Sequence, residues 1–353
     1  MKLIRRYIGQ QVGAAILLVL AVLLGLDLLS KLIDQAGDLS ERYTLWEALW
    51  YSLLTMPGEV YQYLPFAALI GCLAGLGTLA TTSELVVVRA AGVSVTRIIW
   101  MALRPALVIT LAGLLIAEFV APPLAQRAES HRAVAMQKEE VSISKYGVWH
   151  RDRDNFVHFN AMRQDGVLLG VTIYRLEGAT RLLSALFARS ARYEDDHWVL
   201  EGVRETRFAA DRLQQVEELE RRWDTELSPS LLSILMLEPE DLSISGLWRY
   251  SGFLEAQGSN AAEYRLAFWN KVTQPIAIIS LVLVAASIIF GPLRQSSMGS
   301  RVFAGVLIGI VFRISQDMLG PSSLVFGFAP IYASMIPIGV SLLAGWLLLR
   351  RRL

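Results

Sequence analysis

The run LAQRAESHRAVAMQKEEVSISKYGVWHRDRDNFVHF, residues 124–159, opens a polar, charge-rich stretch that continues to residue 262 and splits an otherwise apolar chain. Long apolar runs stand on both sides of it, three before and three after. Such a pattern implies a helical membrane bundle interrupted by one soluble domain on one side of the membrane. Of the 353 residues, 54% are hydrophobic and only 18% charged, a balance that excludes an ordinary soluble globule. A formal net charge of +1 gives no general attraction for nucleic acid. The only cysteine, Cys72, lies in an apolar run, so one chain can build neither a disulfide nor a thiolate metal site. It reads as a small buried core residue.

Lys2, Arg5 and Arg6 followed by the apolar residues 8–29 resemble a signal peptide in outline, but the run is too long and no small-x-small site closes it. It reads as a retained first span over residues 7–33, enough for a hydrocarbon core that needs about 20 apolar residues. Residues 45–79 exceed one crossing. Pro57-Gly58 and Pro65 divide them into a lead-in segment, 45–56, and a second span, 60–79. Gly71, Gly75 and Gly77 give the second span a small-residue face for close helix contact rather than a phosphate loop, since no strand precedes them. The third span covers residues 96–120, and Pro122-Pro123 stop it. After the polar stretch come a fourth span at 263–290, a Gly-Pro-Leu-Arg turn at 291–294, a fifth span at 301–319 ending in Gly320-Pro321, and a sixth at 330–349. The domains are therefore residues 1–123, 124–262 and 263–353.

Short-loop basic residues orient such a bundle. With the N-terminus in the cytoplasm, the cytoplasmic ends hold Lys2, Arg5, Arg6, Arg89, Arg97, Arg104, Arg294, Arg301 and Arg350, Arg351 and Arg352. The opposite links hold only Lys31 and Arg42. This asymmetry puts residues 124–262 outside the cytoplasm and both termini inside.

Within the polar stretch, residues 155–160, 171–176, 182–193 and 198–208 have the β-branched and aromatic alternation of strands. Glu194-Asp195-Asp196-His197 suits the turn of a hairpin. An antiparallel sandwich or open barrel follows. Residues 213–223, rich in Glu, Gln and Arg, fit either a helix or a charged edge strand. Ser245-Gly246 starts a helix over 247–257, with Gly258 as its C-terminal cap.

The chemistry is sparse. His131, His150, His158 and His197 have no metal-ligand spacing, and the chain carries no HExxH, GxSxG or P-loop. Hydrolysis and ATP binding are both disfavoured, so any driven work draws on a partner. Residues 83–94, SELVVVRAAGVS, form a short stretch too brief to span. Ser83 is a good N-cap, Glu84 complements the helix dipole, Leu85 begins an apolar surface, Arg89 sits in the last turn and Gly92 can end the helix. Two readings fit: a turn resting on lipid headgroups, or a coupling helix that docks into a cytosolic ATPase.

Asp27, Lys31 and Asp34, four and three residues apart, share one face at the distal end of the first span. Charges at that depth either neutralise one another or face a cavity, where Lys31 would meet an anionic amphiphile. Arg313 and Asp317 form a similar pair on the fifth span, read first as an intrahelical salt bridge. Lys271, Arg265, Arg127 and Arg132 add positive charge on the same side, and Glu118 is positioned to pair with one of them. Together they suit an anionic ligand.

Six spans, an extracytoplasmic β domain between the third and fourth, and the cytoplasmic Ser83-Glu84-Leu85-Val86-Val87-Val88-Arg89 run resemble the lipopolysaccharide export permeases, the LptF/LptG family. Ser52-Leu53-Leu54 through Pro57, Ala67-Ala68-Leu69-Ile70-Gly71, Leu242-Ser243-Ile244-Ser245-Gly246-Leu247, Phe290-Gly291-Pro292-Leu293-Arg294 and Met298-Gly299-Ser300-Arg301 resemble the LptG branch. The likeness covers nearly the whole chain but rests on the helices, not on motifs of the insert.

What the resemblance implies is a transmembrane α-helical fold with a β-jellyroll-like periplasmic domain, which makes residues 213–223 a strand. It further implies a permease subunit, itself no enzyme and holding no cofactor, in a Gram-negative inner membrane. Its partners would be a paralogous permease, a cytosolic ATPase dimer using ATP-Mg, a periplasmic bridge protein and, as an open alternative, a single-span accessory protein. Its substrate would be lipopolysaccharide. On that resemblance Lys31, with Asp34 one turn on, takes the place of a lysine facing the lipid phosphates, Glu84 that of the coupling glutamate, and Arg132 that of a basic residue at the base of the β domain. Arg313 has no counterpart in the family pattern, though the family's first and fifth helices line a lateral entry, which places Lys31 and Arg313 near that entry. A lipoprotein-releasing permease and a non-transport membrane scaffold remain the competing readings.

Overall fold

A computed structural model describes residues 2–40, 43–136, 148–152, 155–162, 166–177, 181–208, 213–225, 227–229, 238–256, 260–290 and 297–350. The turn expected at 291–294, the Gly258 cap, Arg42, Arg294, Arg351 and Arg352 lie outside them. Two compact units emerge: Met1–Lys31, Met56–Pro122 and Pro239–Leu353 form a helical unit, and Leu32–Thr55 with Pro123–Glu238 form the other. The sequence set the end of the soluble domain at residue 262, whereas residues 239–262 cluster with the helices.

Among the described residues, six helices are long and apolar enough to cross a membrane. They are α1 (Lys2–Gln35), α2 (Leu45–Thr81), α4 (Val95–Leu115) continuing as α5 (Ala121–Met136), α7 (Ala262–Phe290), α8 (Met298–Phe326) and α9 (Pro330–Arg350). The short α3 (Glu84–Ala90) joins α2 to α4, and α6 (Ile244–Ala256) precedes α7.

Proline punctuation misled the sequence reading in three places. Pro57 and Pro65 lie inside one continuous α2, so the lead-in segment and the second span are a single helix. Pro122-Pro123 do not stop the third span, which passes through a π turn, Ile116–Val120, into α5. That wider turn relieves the ladder where the two proline rings would meet carbonyls a turn earlier. Likewise α8 runs through Pro321 to Phe326. In an apolar medium a helix tolerates a lost ladder bond when a neighbouring group replaces it.

The helical core gathers Ile8, Val12 and Ile16 of α1, Leu69, Leu73 and Leu76 of α2, Ile98 of α4, and Ile278 and Leu281 of α7. Gly71 and Gly75 let α1 and α2 touch backbone to backbone: a Cβ on Gly71 would sit 2.6 Å from Ile16 Cα, and one on Gly75 2.8 Å from Val12 Cα. This is the close small-residue contact expected between membrane helices. Gly77 serves differently, offering its carbonyl to Arg301.

The second unit holds a seven-stranded antiparallel sheet. Its strands are β1 (Val148–Asp152), β2 (Asn155–Phe159), β3 (Ala161–Met162), β4 (Leu168–Glu177), β5 (Arg181–Glu194), β6 (His197–Phe208) and β7 (Leu213–Trp223). The order is β1-β2-β4-β5-β6-β7, a meander, with β3 extending β2 along β4. Asp195 and Asp196, at φ 43° and 65°, make the two-residue turn between β5 and β6, matching the twist of the flanking strands. Residues 213–223 are indeed a strand, pairing with β6 from Trp198↔Trp223 to Phe208↔Leu213.

A line of broken alternation crosses this sheet. Gly170 and Gly202 adopt φ +62°, and around them register is kept while residues three apart face the same side. Leu168 with Val171, Ala188 with Ala191, and Leu200 with Val203 are all buried. Only glycine reaches that backbone region without strain. A Cβ on Gly170 would also strike the Asn160 side chain at 2.3 Å. The apolar face holds Val157, Phe159, Ile173, Leu186 and Trp198, whose indole donates to the Leu227 carbonyl at 2.7 Å.

Candidate functional site

The densest polar constellation in the helical unit centres on Lys31, near the C-terminal end of α1. Its Nζ lies 2.6 Å from Glu59 Oε1 on α2 and 3.5 Å from Asp27 Oδ2 a turn earlier on α1. The Tyr63 hydroxyl donates to Asp27 Oδ1 at 2.8 Å. The Gln62 amide, turned with its nitrogen to Glu59 Oε2 (2.9 Å), presents its oxygen to both Arg313 Nη atoms at 3.2 and 3.3 Å. Arg313 Nε in turn donates to Asp317 at 2.9 Å along α8. One chain of bonds therefore joins α1, α2 and α8, and brings Lys31 and Arg313 together through α2.

The ion-pair readings of these cations hold in part. Lys31 is neutralised, but by Glu59 before Asp27, and the Arg313–Asp317 pair exists with Gln62 added to it. Asp34 is exposed one turn beyond Lys31. Glu59, Gln62 and Tyr63 were missed. The signal was available, since positions 59, 62 and 63 share a helix face, but reading Pro57-Gly58 as a break put Glu59 in a loop.

Arg132 belongs to a cluster of the second unit. Its Nη2 donates to Asp38 at 2.9 Å and its guanidinium lies 4.9 Å over the Tyr51 ring. Tyr51 donates to Glu129, Gln35 to Ser52 at 3.1 Å and Tyr43 to Gln35, while His131 lies 3.1 Å from Glu47. This is a cation over an aromatic face with carboxylates around it, a geometry that fixes the guanidinium plane.

Lys271 is placed differently from the sequence reading. It donates to the Leu242 carbonyl at 2.6 Å, with Asp241, Glu118 and Glu240 in electrostatic reach. Glu118 itself accepts from the backbone N–H of Ile244 at 2.8 Å and of Ser245 at 3.3 Å, capping α6. Both residues anchor the segment leading into α7. An apolar groove of about 540 Å³ opens beside this cap, lined by Leu114, Leu115, Phe119, Trp248 and Phe268.

Residues 83–94 form α3 and its flanks. Ser83 is not a side-chain cap; it sits at φ 61° and makes no capping hydrogen bond. Thr82 Oγ1 instead holds Glu84 Oε1 at 3.0 Å. Gly92, at φ 83°, closes the helix as expected: Gly92 N–H reaches Arg89 O and Val93 N–H reaches Val88 O, the Schellman pattern. Leu85 is buried, while Val86, Val87 and Arg89 are exposed. Val88 also packs, partly buried, against the helical core, so the element is moored by Leu85 and Val88 and displays an apolar patch.

On the β unit, Glu205 is buried and accepts from Arg207 Nη2 at 2.9 Å and Arg221 Nη1 at 2.9 Å. Burial alone would raise its carboxyl; hydrogen bonds from Arg207, Arg221 and Ser184 outweigh that and hold it at about 2. Among the described residues, no three His, Cys, Asp or Glu side chains converge as metal ligands.

Comparison with known proteins identifies the family. The family described as "Lipopolysaccharide export system permease LptF/LptG" matches residues 6–351. The chain is 35% identical, over 98% of both proteins, to the lipopolysaccharide export system permease protein LptG of Escherichia coli (strain K12). It is 33% identical, again over 98% of both, to the protein of that name from Haemophilus influenzae (strain ATCC 51907 / DSM 11121 / KW20 / Rd). With six membrane-length helices and an antiparallel β insert between the third and fourth, the chain belongs to the LptF/LptG family of lipopolysaccharide export permeases.

Proposed function

We propose that this chain is the permease subunit of an ATP-driven exporter that lifts lipopolysaccharide from the inner membrane. It stands beside a paralogous permease on a cytosolic ATPase dimer, with its termini in the cytoplasm and its β unit in the periplasm. The β unit hands the lipid to a periplasmic bridge, with a single-span accessory protein as a further partner. ATP-Mg belongs to the ATPase, since this chain carries no nucleotide motif.

The observation that carries the reading is the joining of Lys31 and Arg313 by Glu59 and Gln62. Two cations on two membrane helices stand paired to carboxylates, Lys31 half-buried and Arg313 exposed. A lipid phosphate, with more negative charge than one carboxylate, competes for both at once, and the displaced carboxylates stay near to take the cations back. Such exchange favours reversible loading over tight retention. Arg132 and Asp38 supply a further anion-exchange pair, and Lys271 holds the segment ahead of α7.

Coupling falls to Ser83, Glu84, Leu85, Arg89 and Gly92. Leu85 moors α3, Gly92 ends it, and Val86 and Val87 offer the partner ATPase an apolar patch flanked by Glu84 and Arg89. Purification in mild detergent from its own cell tests the assignment. A small ATPase, a sister permease and bound lipopolysaccharide are expected together; the chain alone, without ATPase or lipid, overturns it.

A further inference from the structure

Arg301, at the start of α8, is 1% exposed. A guanidinium removed from water needs its N–H groups used, and Arg301 Nη1 donates to the Gly77 carbonyl at 2.7 Å. Gly77 lies close to the C-terminal end of α2, where the helix dipole favours a cation. The same carbonyl also accepts from Thr81 Oγ1 at 3.2 Å. Immediately beyond, Thr82 and Ser83 turn the chain into α3. Arg301 therefore grips the corner from which α3 leaves α2.

From that grip α8 runs antiparallel along α2, in close contact at two glycines. A Cβ on Gly305 would sit 2.5 Å from Leu73 Cδ1, and one on Gly309 would sit 3.0 Å from Phe66 Cδ1. Farther on, Arg313 faces the Gln62 amide oxygen. The seam is roughly 20 Å long, at ~1.5 Å per residue of α2. One end is the α2–α3 corner and the other is the Lys31–Glu59–Gln62–Arg313 network. A close-packed seam with a fixed end moves as a body rather than deforming.

We propose that Arg301 is a positioning residue that locks the α2–α3 corner to α8, so that displacement of α3 reaches Arg313 through the α2–α8 seam. The proposal rests on the exporter reading for what is moved, but not for the lock itself.

The test uses the assembled complex in proteoliposomes. Arg301→Met keeps an apolar side chain of similar reach and removes every donor, while the Gly77 carbonyl retains Thr81. Expected are ATP hydrolysis within about twofold of the parent, lipid released per ATP reduced at least about tenfold, and recovery to within about threefold in Arg301→Lys. Spin labels at the exposed Ala90, at the end of α3, and Met318 report the lock directly. A narrow distance, unchanged by nucleotide, is expected in the parent and a broadened one in Arg301→Met. Unaltered release per ATP in Arg301→Met, or identical distance distributions in parent and variant, overturns the proposal. The distance measurement decides even if the parent releases no lipopolysaccharide, an outcome that would count against the exporter reading alone.

Discussion

The Tyr61 hydroxyl donates to the backbone carbonyl of Lys271 at 2.9 Å, and that carbonyl is the one Pro275 leaves without its helical partner. The relation is reciprocal. Pro65 frees the carbonyl of Tyr61, which accepts from the Gln274 side chain. Two membrane helices thus repair each other's proline defects, and neither proline ends its helix.

Removing the repair should be measurable. Tyr61→Phe leaves the Lys271 carbonyl buried without its partner, at a cost of about 1–3 kcal/mol. In a Pro275→Ala background the helix supplies its own N–H, so the cost of Tyr61→Phe should shrink toward zero. A double-mutant cycle by unfolding in detergent checks this; equal costs in both backgrounds would contradict it.

Glu59 restrains Lys31, so the two residues should act oppositely on lipid retention. Glu59→Gln frees the lysine, and retained anionic lipid should rise roughly tenfold, or ~1.4 kcal/mol. Lys31→Glu should lower it by at least as much. Lipid bound per protein after identical washing is the readout, and a Glu59→Gln protein that retains less than the parent would sink the exchange mechanism.

At α3, Glu84→Ala should leave the chain folded and assembled, since Leu85 rather than Glu84 is the buried anchor. ATP hydrolysis by the partner should continue while lipid release falls about tenfold or more. Reconstituted vesicles with unchanged release per ATP would remove Glu84 from the coupling set.

The β unit should be acid-resistant down to a defined point. Glu205 is held at about 2, below its ordinary value of 4.5. A carboxyl depressed on folding stabilises above its unfolded value and loses that contribution as pH falls through its folded one. The contribution is on the order of 3 kcal/mol, at ~1.4 kcal/mol per unit. Hydrogen-exchange protection of β6 and β7 should hold from pH 7 to about 5 and decline between about 4.5 and 2. Glu205→Gln should start lower and lose that decline; a parent transition centred above pH 5 would contradict the assignment.

Much of this structure was legible in the residues. Hydropathy located all six spans, alternation located four strands, and the double aspartate located the β5–β6 turn. Prolines were over-read, because whether Pro57, Pro65 or Pro122 breaks a helix depends on partners such as Gln274 that no local pattern reveals. Resemblance, not propensity, made residues 213–223 a strand, since a charged outer face suits an edge strand and a helix alike. Lys31 and Arg313 were found as charges at membrane depth, but their link was not. Glu59 and Gln62 supply it only once α2 is seen to be continuous. The glycine line through Gly170 and Gly202 was also unreadable, since each shows its φ only in the folded sheet.

The central claim is ATP-driven export of lipopolysaccharide by a complex containing this chain. Reconstitution with the sister permease, the ATPase and the periplasmic bridge, followed by crosslinking of lipid to the bridge over time, tests it most directly. Lipid should reach the bridge only with hydrolysable ATP, and Lys31→Glu should reduce that transfer. Transfer at equal rates without ATP, or none with ATP in the fully assembled complex, would contradict the account.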